Sequence, residues 1–144
     1  LGAVTVICSD KTGTLTRNEM TVREAVVAGR RFRFTGVGYD PHGDVVEDGA
    51  SSSGTTADAS DLTTALTAGV RCNSARLVPR GSSPGWQVIG DPTEGALLVA
   101  ARKGGVALPD SRADVLWEIP FDSERKAMSV AVTREGGRAA LYTK

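Results

Sequence analysis

Residues 6–16 read VICSDKTGTLT, a stretch that opens apolar and turns abruptly polar at Ser9 and Asp10. Together with the residues before it, the run AVTVIC (residues 3–8) is β-branched and almost continuously apolar. That is the pattern of a strand buried on both faces, as in a parallel sheet. Two continuations fit the sequence: a strand feeding a reactive loop, or a strand ending in a plain Thr/Gly turn. A carboxylate at the C-terminal end of a buried parallel strand points into the crevice where open α/β sheets bind ligands. In that place Asp10 can attack a phosphorus atom and form an acyl phosphate. Lys11 would offset charge on the incoming phosphoryl oxygens, while Thr12, Gly13 and Thr14 offer backbone N–H groups and hydroxyls with little bulk. Such chemistry calls for Mg2+, held by one or two carboxylates together with phosphate oxygens.

The rest of the chain limits what can surround this motif. Its 144 residues suit one main folded unit with a real core. Seventeen basic residues balance seventeen acidic ones, so bulk electrostatics gives no argument for a nucleic-acid or membrane-surface partner. The longest apolar runs, such as GALLVAA, are far shorter than the roughly 20 residues that span a bilayer, and no signal-peptide pattern is present, so a soluble segment is expected. Cys8 and Cys72 lack any CxxC or Cys/His spacing, which argues against a disulfide framework or zinc site and predicts two small core residues. A first residue Leu1 and a last residue Lys144, directly after the strand-like run RAALYTK, read as a segment of something longer.

After residue 19 the signals change. MTVREAVVAGRRFRFTG holds two alternating runs around Ala28-Gly29-Arg30, a predicted β-hairpin, and GYDPHGDVV turns into another short strand. Residues 47–57, EDGASSSGTTA, have nothing to anchor a core and read as a surface loop. Leu62, Ala65, Leu66, Gly69 and Val70 recur at helical spacing, with Asp58 or Ser60 available as N-cap. LVPRGSSPGWQVIG predicts a hairpin; its first six residues match a thrombin cleavage sequence, native or introduced. DPTEGALLVAARKGG carries the clearest helix start: Asp91 as N-cap, Pro92 at N1, Glu94 completing a capping box, and Gly104-Gly105 as the stop. VLWEIPF, AMSVAV and RAALYTK are three strand-like runs, the last two joined by REGG. His42, the single histidine, sits in a Pro/Gly turn and is expected to face solvent.

DKTGTLT is identical to the phosphorylation motif of the P-type ATPases, ion pumps of the haloacid-dehalogenase-like superfamily. GDPTEGALL, IPFDSERKAMSV, TRNEMTV, GYDPHGD and RCNSA resemble the nucleotide-binding domain of the P2 group of these pumps, with bacterial calcium-pump-like members in view. Ser74 departs from the acidic or amide residue expected in the last of these. The resemblance implies an α+β (α/β) fold class: an antiparallel sheet flanked by helices, preceded by one strand of a Rossmann-like phosphorylation domain. On this reading residues 1–18 begin the phosphorylation domain and 19–144 form part of the nucleotide-binding domain.

The resemblance implies that Asp10 is the phosphorylated residue and, with Thr12, a magnesium ligand. Phosphatases of the superfamily carry a second aspartate where Thr12 stands. Without a base there, water attacks the acyl phosphate slowly, as a pump needs. The resemblance also implies that Phe121 stacks on adenine, Glu94 faces base or ribose, Arg125, Lys126 and Met128 line the pocket, and Lys144 opens a KGA-type motif. Each residue has a plainer alternative. Phe121 and Met128 could fill a core, Glu94 could simply cap a helix, and DSERK could be a solvated turn. No Walker A pattern occurs, so any ATP would be held by an aromatic and lysine pocket. The implied protein is a membrane pump exposing this segment at its cytoplasmic face. Its partners would be ATP, the transported cation, and its own remaining domains, with no nucleic acid. The alternative is a stand-alone nucleotide-binding or regulatory module. Because the membrane helices, actuator domain and further acidic motifs are absent from these 144 residues, the isolated chain is expected to have little ATPase activity.

Overall fold

The computed structural model describes residues 6, 8, 9, 18–49, 60–81 and 84–144. The predicted strand at residues 3–8, the motif residues 10–14 and most of the polar loop at 47–57 lie wholly or largely outside the described residues. In the described part, two helices pack with three antiparallel ladders, an α+β arrangement.

The first ladder is built from β1 (Glu24–Val27), β2 (Arg30–Phe34) and β3 (Val45–Glu47). β1 and β2 form the predicted hairpin, and both loop residues, Ala28 and Gly29, adopt positive φ (50° and 77°). That backbone matches the twist of a two-residue hairpin. Strict alternation in RRFRF sends Phe32 and Phe34 inward, while the intervening arginines pair across the surface. Arg31 meets Glu24 at 2.7 Å and Arg33 meets Asp48 at 2.5 Å.

Helix α1 (Ser60–Arg71) buries Leu62, Leu66, Gly69 and Val70. Ala65 is exposed, against expectation, because it sits at the rim of that stripe. Ser60 is the first helical residue rather than a cap. The second ladder joins β4 (Arg76–Pro79) to β5 (Trp86–Ile89), so the thrombin-like sequence begins in a paired strand whose Leu77 packs on the core. Helix α2 (Pro92–Lys103) follows. Its end forms a Schellman arrangement: Val106 N–H donates to Ala101 O at 2.8 Å and Gly105 N–H to Arg102 O at 3.1 Å. Gly105 takes the left-handed conformation at φ 78°, which glycine adopts without a Cβ penalty.

β6 (Val115–Asp122), β7 (Ala127–Thr133) and β8 (Ala139–Thr143) make the third ladder, in that spatial order. The register of β6 shifts between Ile119 and Asp122. Pro120 falls in that irregularity of an edge strand, where its missing N–H leaves no ladder bond unmade. REGG becomes a short 3-10 turn at Glu135–Gly137.

Two apolar clusters result. The larger joins Phe32 and Phe34 to Leu62, Leu66, Val70, Leu98 and Ala101 between the helices and the first two ladders. The smaller lies under the third ladder and consists of Cys72, Met128, Val130 and Val132. Cys8 is exposed, so the core expectation for both cysteines is corrected: none of the elements building the two clusters contains it. His42 is exposed, with Nδ1 2.7 Å from Asp40 Oδ1. No described helix is long and apolar enough to cross a membrane.

Candidate functional site

The junction between the two helices and the third ladder is organised by Asn73, a residue that sequence reasoning missed. Only 6% exposed, it uses every polar atom of its amide. Nδ2 donates to Gly69 O at 3.1 Å and to Glu94 O at 2.9 Å, while Oδ1 accepts from Ala75 N–H at 2.9 Å. One side chain thereby ties the end of α1 to the start of α2 and to the approach to β4. A buried amide satisfied in this way costs little, whereas the same groups left unpaired would be expensive. The signal in the sequence was its place in RCNSA, between Cys72 and Ser74 just after a helix end, a stretch that assigned it no role.

Asn73 sets the place of its neighbour. Ser74 N–H donates to Glu94 Oε2 at 2.9 Å, and Glu94 Oε1 accepts from Lys144 Nζ at 3.0 Å. Asp91 caps α2 as predicted, its Oδ1 accepting from Thr93 N–H at 2.8 Å and Glu94 N–H at 3.1 Å. The reciprocal half of the capping box is not made, because both oxygens of Glu94 are engaged with Ser74 and Lys144. Tertiary packing brings up both donors, and the charged Lys144 ammonium is a stronger partner for a carboxylate than a neutral amide, which is the physical reason for this correction. Since Ser74 contributes its backbone, its departure from the expected side chain leaves this contact intact.

Lys144 is held from the other side. Its backbone exchanges two hydrogen bonds with Met128, at 2.8 and 2.9 Å, extending the β7–β8 ladder by one pair. Directly paired residues share a sheet face, so Met128 and Lys144 lie together on the side of Cys72. Met128 is 3% exposed and belongs to the core cluster. Burial pushes the Cys72 thiol above its ordinary pKa, the nearby Lys144 charge acting in the opposite direction.

The remaining predicted residues are placed differently. Phe121 is 64% exposed, which rules out its reading as a core filler. DSERK is a tight turn: Asp122 Oδ1 accepts from Glu124 N–H at 2.9 Å and Arg125 N–H at 2.7 Å, and Lys126 has φ 54°. Arg125 Nη2 reaches Ser129 Oγ at 3.1 Å and Ala127 O at 3.0 Å. Ser129 points away from the Met128 face, since neighbours on a strand alternate. Glu94, Met128 and Lys144 are thus brought together, Arg125 is turned to the opposite face, and Phe121 and Lys126 stand exposed at the β6–β7 turn. Asp10, Lys11, Thr12, Gly13 and Thr14 lie outside the described residues, as does the Mg2+ expectation resting on Asp10 and Thr12. Among the described residues, no group of three or more His, Cys, Asp or Glu could hold a metal ion.

A cavity of about 610 Å3 opens next to this junction. Asn73 and Ser74 border it, but Glu94, Phe121, Lys126, Met128 and Lys144 do not.

Residues 61–144 match the family model described as P-type ATPase, cytoplasmic domain N. The chain belongs to this family. All of the chain aligns, at 40% identity, with a calcium-transporting ATPase of Bacillus subtilis, covering 16% of that protein. It is 39% identical over its whole length to the cation-transporting ATPase pma1 of Synechocystis, again 16% of that protein. Over 90% of the chain, identity to calcium-transporting ATPase type 2C member 1 of Bos taurus is 44%, covering 13% of that protein. The chain therefore spans about a sixth of the length of the curated relatives it matches first.

Proposed function

We propose that this chain is the cytoplasmic segment of an ATP-driven cation pump, binding ATP at the Glu94–Lys144 junction and carrying at Asp10 the aspartate phosphorylated during transport. The carrying observation is the meeting of Glu94 and Lys144, 50 residues apart, at 3.0 Å beside an exposed β6–β7 turn. On this reading Phe121 presents an aromatic face to adenine, because an exposed ring gains from stacking on a base. Lys144 supplies a cation and Glu94 a fixed acceptor on the same rim, with Met128 behind them. Arg125 braces the turn, and Lys126 stands free for the polyphosphate. Residues 1–18 open the phosphorylation domain and 19–144 belong to the nucleotide domain.

In the proposed reaction an Asp10 carboxylate oxygen forms a bond to the γ-phosphorus, the bond to the bridging oxygen breaks, and ADP leaves. The chemistry of an acyl phosphate then allows hydrolysis by water, slowed by the absence of a base at Thr12. Mg2+ would neutralise phosphate charge during the transfer. Transport of the cation would need parts of the relatives that this chain does not span.

The test uses the full-length protein incubated with ATP labelled at the γ-phosphate. An acid-stable, hydroxylamine-labile phosphoenzyme is expected, and Asp10→Asn removes it. Lys144→Ala should raise the ATP concentration needed for half-maximal labelling about tenfold, the loss of one charge-assisted contact. Label that persists in Asp10→Asn overturns the phosphorylation site. ATP binding with neither phosphoenzyme nor cation movement would instead identify a stand-alone nucleotide-binding module.

A further inference from the structure

The cavity beside the junction has its own chemistry. Leu77, Trp86, Leu98, Leu108 and Pro109 supply apolar walls, drawn from β4, β5, α2 and the segment leading into β6. Four arginines also line it. Two are already neutralised: Arg71 pairs with Asp114, and Arg112 pairs with Glu118. The side chains of the other two, Arg76 and Arg102, make no ion pair or hydrogen bond among the described residues. Asp110 is the one further carboxylate in the lining, so the cavity keeps a net positive charge.

A volume of about 610 Å3 is in the range of small-molecule pockets. The walls divide about evenly between apolar and polar residues, a more charged lining than such pockets ordinarily have, which suits a charged ligand. A guanidinium fork matches the planar or tetrahedral oxygens of a carboxylate or phosphate, and the half-buried Trp86 offers a flat face to a ring. We infer that the cavity between the β4–β5 hairpin and the segment at 106–114 binds a small organic anion, a ring or short apolar body carrying one carboxylate or phosphate monoester, with Arg76 and Arg102 receiving the charge and Trp86 the body. This site is separate from the Glu94–Lys144 junction and does not depend on the nucleotide reading.

The test titrates phenyl phosphate into the chain carrying Trp117→Phe, which leaves Trp86 as the single tryptophan of the two in the sequence. Trp117 is 51% exposed on β6, so its replacement spares the core. A saturable change in Trp86 emission is expected. Benzyl alcohol, which lacks the charge, and inorganic phosphate, which lacks the body, should each bind at least about tenfold more weakly. The double variant Arg76→Ala/Arg102→Ala should lose about tenfold in affinity with an unchanged far-ultraviolet circular dichroism spectrum, because both side chains are exposed. Lys144→Ala should bind phenyl phosphate like the parent. Absence of a saturable change into the millimolar range overturns the inference, as does equal binding by the double variant or loss of binding in Lys144→Ala. An acidic peptide that titrates Trp86 where phenyl phosphate does not would replace the small anion with a peptide surface.

Discussion

Asp91 and Glu94 stand three residues apart in one sequence pattern, yet only one of them does what the pattern alone implies. Asp91 needs nothing beyond its own helix, and its cap was legible. Hydrogen bonds from the N–H groups of Glu94 and Thr93 hold its carboxyl below the ordinary value of 3.8. A group whose pKa is depressed on folding contributes stability above its unfolded pKa, and that contribution disappears as pH falls through the folded value. Asp91→Ala should therefore cost about 1 kcal/mol at neutral pH and less at an acid pH below the ordinary value of 3.8. Urea denaturation of parent and variant at both pH values measures this; a loss that stays constant with pH would show that the cap does not act through its charge. Glu94 was not legible, because its partners, Ser74 and Lys144, come from 20 and 50 residues away.

At the scale of elements, the hairpins and helices follow from local patterns, and their ends from glycine and proline. What local pattern misses is close approach. Gly95 lies inside the first turns of α2, where alanine would ordinarily stabilise a helix by about 1 kcal/mol. A Cβ there would meet Val88 Cγ2 at 2.4 Å, Cγ1 at 2.5 Å and Cβ at 2.9 Å. Because all three atoms of the branch crowd the position, rotating Val88 cannot clear it. Gly95→Ala should lower stability by about 1 to 2 kcal/mol despite its better helix propensity, as overpacking outweighs the gain. Thermal unfolding decides this, and a raised midpoint would mean that β5 yields to α2. Val88→Ala in the same background should restore part of the loss.

Across the whole molecule, two apolar clusters meet where α1 ends, and Cys72 stands at that meeting with 0% exposure. Burial raises its thiol pKa, so the reactive thiolate is suppressed as well as shielded. A thiol reagent should modify Cys8 in the folded chain and Cys72 only after denaturant is added, read by mass spectrometry of the fragments. Modification of Cys72 at the same rate as Cys8 would show that the third ladder separates readily from the helices.

By itself the sequence determined the α+β class, both helices, the hairpin turns and the family, through periodicity, caps and motifs that act within a few residues of each other. Tertiary structure alone decided which polar residues meet. It placed Asn73 at the centre of three elements, drew Glu94 from its helix cap to Lys144, turned Arg125 away from Met128, and left Phe121 in solvent rather than in a core. The physical reason is range. A cap or turn is satisfied by neighbours in the chain, whereas the partner of a long polar side chain is chosen by which elements pack against it.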